Sequence, residues 1–165
     1  MSKLLEVKNL CTEFSSKSGT VRAVRNVSWS IEQGEVLGIV GESGSGKSVS
    51  MLSIMGLLAD NGRVTNGEIL FEGKDLSSAH LKTKSEWKSY DQMMQKIRCR
   101  EIGMIFQDPM TYLNPVLRIG TQMTMPLMHH FGMSKEEAKK KAIEMMEKVG
   151  IPSPERRFRQ YPHEF

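Results

Sequence analysis

The sequence predicts an α/β fold, and three observations carry the prediction. A short apolar run at residues 35–40 (EVLGIV) leads into a glycine- and serine-rich bend and then into an apolar helix at 48–59. Two β-rich stretches precede it, at residues 4–10 and 21–31. Residues 134–149 carry the apolar period and both end signals of a helix.

The elements follow in order. Residues 4–10 are rich in Leu and Val and read as a strand, although their alternation is poor. The polar SSKSGT at 15–20 is a turn. Residues 21–31 alternate, with Val24, Val27, Trp29 and Ile31 on the apolar side, and predict a second strand antiparallel to the first. Gln33-Gly34 turns the chain into residues 35–40, an apolar run of the kind expected for a strand buried on both faces. The helix at 48–59 ends at Asp60-Asn61-Gly62. Residues 67–71 (GEILF) predict another strand, with Glu72-Gly73-Lys74 as its turn. Residues 81–98 are polar, with Trp87, Tyr90, Met94 and Ile97 at helical spacing; this is a surface helix whose single stripe serves packing. Residues 102–106 (IGMIF) predict a strand that runs into Gln107, Asp108 and Pro109. Residues 118–131 read as a helix, against which Gly120 and Pro126 count. In the last long helix Ser134 and Glu137 form a capping box. Ala138, Ala142, Met145, Met146 and Val149 make its buried face, and Gly150 and Pro152 stop it.

Composition excludes several classes. The chain has 165 residues, the size of one domain, with 39% hydrophobic and 25% charged residues, which is globular composition. A net charge of +4 suits an anionic ligand or surface without calling for nucleic acid as a partner. The longest apolar stretch, residues 51–59, has about half the length of a bilayer span. Glu6 and Lys8 stand where a signal peptide would be apolar. Cys11 and Cys99 form no CxxC pair, so neither a disulfide framework nor a zinc site is expected. The chain reads as a reduced, soluble protein of the cytoplasm. Its 13 methionines read mostly as core filler.

The strongest chemical signal is GESGSGKS at residues 41–48, which fits the phosphate-loop pattern G-x-x-x-x-G-K-[ST]. Phosphate oxygens need donors packed closely around them. Gly41, Gly44 and Gly46, with Ser43 and Ser45 between them, let the backbone curl so that successive N–H groups point inward. The helix that begins near Lys47 adds its unpaired N–H groups, Val49 among them, and the positive end of its dipole. Lys47 is expected to reach the β- and γ-phosphates, and the Ser48 hydroxyl to bind Mg²⁺. The context, an apolar strand before and an apolar helix after, is the one the pattern requires. The alternative is a flexible Gly/Ser loop. The expected core is that of a P-loop NTPase, RecA-like, with an N-terminal antiparallel β-subdomain.

Mg²⁺ and an attacking water need a second polar group from a neighbouring strand. Either Gln107 or Asp108 follows the strand at 102–106. A strand alternates its faces, so both cannot point into the site from an extended segment. Physical reasoning leaves the two open, beside a third option, a loop after a strand with no role.

The run FQDPMTYLNP at residues 106–115 closely resembles the Q-loop of ABC transporter ATP-binding subunits, in particular those of dipeptide and oligopeptide importers. LLEVKNLCTEF, VRAVRNVSWSI, GESGSGKS, GEILFEGKDL and YPHEF resemble the same subfamily, in that order, over nearly the whole chain. The resemblance implies an ABC nucleotide-binding domain. Its β-subdomain would occupy about 1–34 and 64–75, its P-loop core about 35–63 and 100–116, and the start of its helical subdomain about 117–165. The implied cofactors are ATP and Mg²⁺. Gln107 would touch Mg²⁺ and the water near the γ-phosphate. Phe14 would stack on adenine, against the alternative of a strand-end packing residue. Residues 108–117, which begin at Asp108 and end at Leu117, would receive a cytoplasmic helix of the permease. The other implied partners are a second ATPase subunit, head to tail, and indirectly a solute-binding protein. The implied location is cytoplasmic, peripheral on the inner face of the cell membrane.

The resemblance stops at YPHEF. The LSGGQ-type signature, the aspartate-ending strand, the catalytic glutamate and the switch histidine that follow in the family have no counterpart here, and His163 is not that histidine. Tyr112 stands where Ser is common. The domain is therefore expected to be incomplete, as a truncation or as part of a longer subunit. The chain alone is expected to bind ATP weakly and to lack turnover. The leading function is energy coupling in a peptide importer. The alternatives are a non-catalytic nucleotide-binding fragment, an importer of nickel or another solute, a soluble ABC-type ATPase and a P-loop kinase.

Overall fold

The computed structural model describes residues 3–106 and 111–165. The chain divides into two compact units, Met1–Gln95 and Lys96–Phe165.

The first unit is built on a four-stranded sheet of β1 (Lys3–Ser16), β2 (Gly19–Glu32), β3 (Gly62–Phe71) and β4 (Lys74–Asp75). The spatial order is β2-β1-β3-β4, and every pair is antiparallel. The hairpin expected at SSKSGT forms, with Ser16 opposite Gly19 and the Ser16 hydroxyl donating to the Gly19 carbonyl at 2.9 Å. Poor alternation in β1 has a structural cause. Asn9 and Asn26 both take positive φ, and the register slips between the pairs Val7–Trp29 and Leu10–Val27. These bulges are held by side chains: the Asn9 N–H donates to the Ser28 hydroxyl at 2.8 Å, and the Asn26 N–H to the Cys11 sulfur at 3.3 Å.

Helix α1 (Lys47–Met55) packs on this sheet. Val7, Leu10, Val24, Val64, Ile69, Ile54 and Met55 are buried. One polar pair joins helix to strand inside that core: the hydroxyls of Thr12 and Ser53 lie 2.8 Å apart. Ser53 gives its proton to the Val49 carbonyl at 2.7 Å, so Thr12 must be the donor to Ser53. Helix α2 (Lys84–Ile97) buries Tyr90, Met94 and Ile97 of the stripe read from the sequence, while Trp87 stays exposed and meets Tyr90 edge to face.

Two expected strands do not form. Residues 35–40 have no regular structure, with Val36 93% and Val40 96% exposed. Residues 103–106 are likewise irregular; Ile102 makes only an isolated bridge with Arg98, and Ile105 is 94% exposed. A strand buried on both faces requires neighbours on both edges. Among the described residues no strand pairs with either run, so the apolar sequence is present without the ladder that would use it.

The second unit holds α3 (Ile119–Phe131), α4 (Lys135–Lys148), α5 (Pro154–Phe158) and a 3₁₀ turn (Pro162–Glu164). Helix α3 continues through Pro126 and ends at Gly132 in the left-handed conformation. Its buried Gly120 is the contact with α5: a Cβ there would fall within the Phe158 ring. The capping box of α4 is present, with the Ser134 N–H and hydroxyl donating to the Glu137 carboxylate at 2.8 and 2.6 Å. Ala138, Ala142 and Met146 are buried as expected, but Met145 and Val149 are exposed. The covered stripe is the i, i+4, i+8 row, and Met145 and Val149 lie beside it. Among the described residues no helix is long and apolar enough to cross a membrane.

Two outcomes test this packing. Gly120→Ala should lower stability by about 1–3 kcal/mol, because Phe158 must move; urea unfolding measures it. The Ser134 hydroxyl and N–H hold the Glu137 carboxyl below its ordinary pKa. The resulting stabilisation is complete above the ordinary carboxylate pKa and is lost as pH falls through the lowered value. Glu137→Gln keeps a cap that does not titrate, so its melting temperature should fall less steeply below pH 5.

Candidate functional site

The bend at residues 41–46 keeps the curled form that the sequence requires. Gly44 and Gly46 have φ of +81° and +91°, where a Cβ is disfavoured. Gly46 is also the N-cap of α1, and a Cβ on it would meet the Ala23 carbonyl oxygen at 2.6 Å. Glycine at 46 thus lets the start of α1 lie directly against β2. At Gly41 a Cβ would meet the Ser45 hydroxyl at 2.7 Å, so any larger residue there would make the Ser45 side chain turn away. The Ser45 N–H donates to the Glu42 carbonyl at 3.2 Å and fixes the turn.

Lys47 reaches back over this bend. Its ammonium donates to the carbonyls of Gly41 at 2.6 Å and Glu42 at 2.7 Å, and to the Ser45 hydroxyl at 3.2 Å. The two carbonyl bonds anchor a cation above the loop. The longer bond to Ser45 is the one an anion would replace most easily. No side chain caps α1, and no acidic residue sits in its first turn. Its first N–H groups, on Lys47, Ser48 and Val49, therefore have no side-chain acceptor, and the helix dipole adds positive potential there. Ser48 is exposed at this end. A glycine cradle, an anchored ammonium, uncapped helix N–H groups and a free-standing hydroxyl together suit a polyphosphate with its counter-cation. Among the described residues no group of three or more His, Cys, Asp or Glu side chains could hold a metal by itself. A hydroxyl ligand that shares its ion with bound phosphates, as Ser48 would, needs no such group.

The other expected residues are distributed as follows. Ser43, Gly41, Gly44 and Ser45 are all exposed in the loop. Phe14 is half-buried at the end of β1, with its ring against Gly62, where a Cβ would meet its Cε1 at 2.5 Å. Gln107 and Asp108 lie outside the described residues. On either side of them Phe106 and Tyr112 stack, with ring centroids 4.0 Å apart and planes 18° apart. Tyr112 and Val116 are exposed, and the Gln122 amide bonds the backbone of Asn114 and Leu117. His163 stacks on Tyr161. Sequence reasoning missed the contact of Gly46 with Ala23 and the Thr12–Ser53 pair. Both join segments more than 20 residues apart, and no local pattern signals them.

The ABC transporter family model matches residues 24–165. The chain belongs to the ABC transporter family. It is 51% identical to the oligopeptide transport ATP-binding protein OppD of Bacillus subtilis, over 100% of this chain and 44% of OppD. It is also 51% identical to the dipeptide transport ATP-binding protein DppD of Lactococcus lactis, over 99% of this chain and 44% of that protein. The chain thus spans less than half the length of these relatives. Among solved structures, the dimeric ABC transporter cassette MJ0796 superposes with a TM-score of 0.76 at 27% identity, over 98% of this chain and 62% of that one. The same cassette has been described in a post-hydrolysis state bound to ADP and Pi. This ABC chain therefore has the P-loop NTPase fold of the cassettes, α/β and covering part of the domain, as the sequence predicted.

Gly46→Ala should destabilise this ABC chain by about 1–3 kcal/mol, through the clash with Ala23 and the positive φ. Hydrogen exchange should quicken first at the start of α1.

Proposed function

We propose that this chain is the N-terminal part of the ATP-binding, energy-coupling subunit of a dipeptide or oligopeptide ABC importer. The observation that carries the reading is the Lys47 ammonium held over a glycine bend at an uncapped helix start. The names and the identity of the peptide-transport relatives support the peptide class.

In this reading the N–H groups of Gly44, Ser45, Gly46, Lys47, Ser48 and Val49 surround the phosphates, with Gly41 and Ser43 shaping the turn. Lys47 contacts the β- and γ-phosphates, neutralising charge where it builds up in phosphoryl transfer. Ser48 ligates Mg²⁺. Gln107 is the second polar group, toward Mg²⁺ and the water. Phe14 offers the ring face not covered by Gly62 to adenine. The β-subdomain is about 1–34 and 64–75, the core about 35–63 and 100–116, and the helical subdomain begins at about 117. The whole subunit works as a head-to-tail dimer on the cytoplasmic face of the membrane. Its permease contact lies at residues 108–117, and the solute-binding protein acts through the permease. Within that assembly it hydrolyses ATP.

The chain alone binds Mg-ATP weakly and does not turn it over. The exposed Val36 and Val40 support this, because the run leading into the loop has no sheet to stiffen it. The test is calorimetric titration with Mg-ATP alongside phosphate release. Weak saturable binding, at least ten-fold weaker in Lys47→Ala, with phosphate release at background, is expected. Equal binding by Lys47→Ala would sink the loop assignment. Robust release abolished by Lys47→Ala would sink the inactivity of the isolated chain.

A further inference from the structure

A cavity of about 480 Å³ lies at the opposite end of α1 from the phosphate loop. Its size falls within the range of small-molecule sites. All of its lining belongs to the first unit. Ser53 and Tyr90 are buried and form part of its floor, while Asp60, Arg63, Trp87 and Asp91 are exposed and mark its open side.

The charges there are arranged in an unusual way. Asp60, Asp91 and Arg63 line one cavity, yet no ion pair joins the arginine to either aspartate. The wall therefore presents opposite charges that are not satisfied by each other. The last turn of α1 carries no basic residue, so although Gly56 caps its Leu52 and Ser53 carbonyls, no side-chain cation of the helix offsets the negative end of its dipole, which adds weakly to the two carboxylates. Trp87, 41% exposed, supplies an aromatic face for a cation, and its edge-to-face contact with the buried Tyr90 fixes the ring. An ammonium is favoured at the aspartate and helix end, and a carboxylate at Arg63.

We propose that this cavity is a binding site for a small zwitterion, specifically a short free peptide, with its terminal ammonium toward Asp60, Asp91 and Trp87 and its carboxylate on Arg63. The choice of peptide over free amino acid rests on the peptide-import reading; the zwitterion rests on the lining alone. The site is separate from the phosphate loop and shares α1 with it.

The probe is dialanine, titrated into the chain and followed by calorimetry and by tryptophan fluorescence. Trp29→Phe leaves Trp87 as the sole reporter, since the chain has two tryptophans. Saturable binding is expected, with at least a ten-fold loss in Asp60→Asn/Asp91→Asn and in Arg63→Gln. N-acetyl-dialanine amide, which has neither terminal charge, should not bind. Absence of saturable dialanine binding, equal binding of the blocked peptide, or unchanged affinity in the double aspartate variant would each overturn the proposal. Binding of alanine without dialanine would overturn the peptide assignment. Mg-ATP titration of the double aspartate variant separates the two readings. Its affinity should match that of the unaltered chain, whereas failure of the importer reading would appear in Lys47→Ala.

Discussion

The start of α1 rests on the carbonyl of Ala23, and only a glycine at 46 allows it. That contact sets how close the helix comes to β2, and so where the bend before it must turn. The Thr12–Ser53 hydroxyl pair fixes the same helix two turns further on, against β1. Between them they leave α1 little freedom to slide. The first helical N–H groups are therefore held in one place relative to the bend, and the Lys47 ammonium is held above it by two backbone carbonyls. A polyphosphate site needs this kind of preorganisation, because donors that must be gathered at the moment of binding cost affinity.

The apolar run before the loop stands in contrast. Residues 35–40 have the composition of a central strand and none of its surroundings. The bend survives without that strand because its geometry is local: positive φ at Gly44 and Gly46, the Ser45 turn and the lysine bonds all lie within a few residues. The antiparallel sheet likewise forms without that strand, with its own hairpin and bulges and α1 packed on it. A motif can thus be well formed in a chain whose central sheet is not.

Legibility followed the range of the interaction. The phosphate-loop bend, the 15–20 turn and the capping box rest on contacts within about ten residues, and the sequence showed each of them. The bulges at Asn9 and Asn26 blurred the alternation of β1 and could be seen only as disorder in its pattern. Met145 and Val149 are exposed although their spacing predicts burial, because the helical period marks an apolar stripe but not how much of it a neighbour covers. Phe14 shows the same boundary: its chemistry suits stacking, and its packing on Gly62 is decided by a residue 48 positions away.

By itself the sequence determined the α/β class, the glycine-rich bend and the peptide-transport resemblance, because glycines at required positive φ and a run as specific as FQDPMTYLNP constrain chemistry at short range. Tertiary structure decided which apolar runs become strands, how closely α1 approaches β2, and that Asp60, Arg63 and Asp91 gather around one cavity. Those outcomes depend on which distant backbone arrives beside a segment, and a hydrophobic period records the need for a neighbour without naming it.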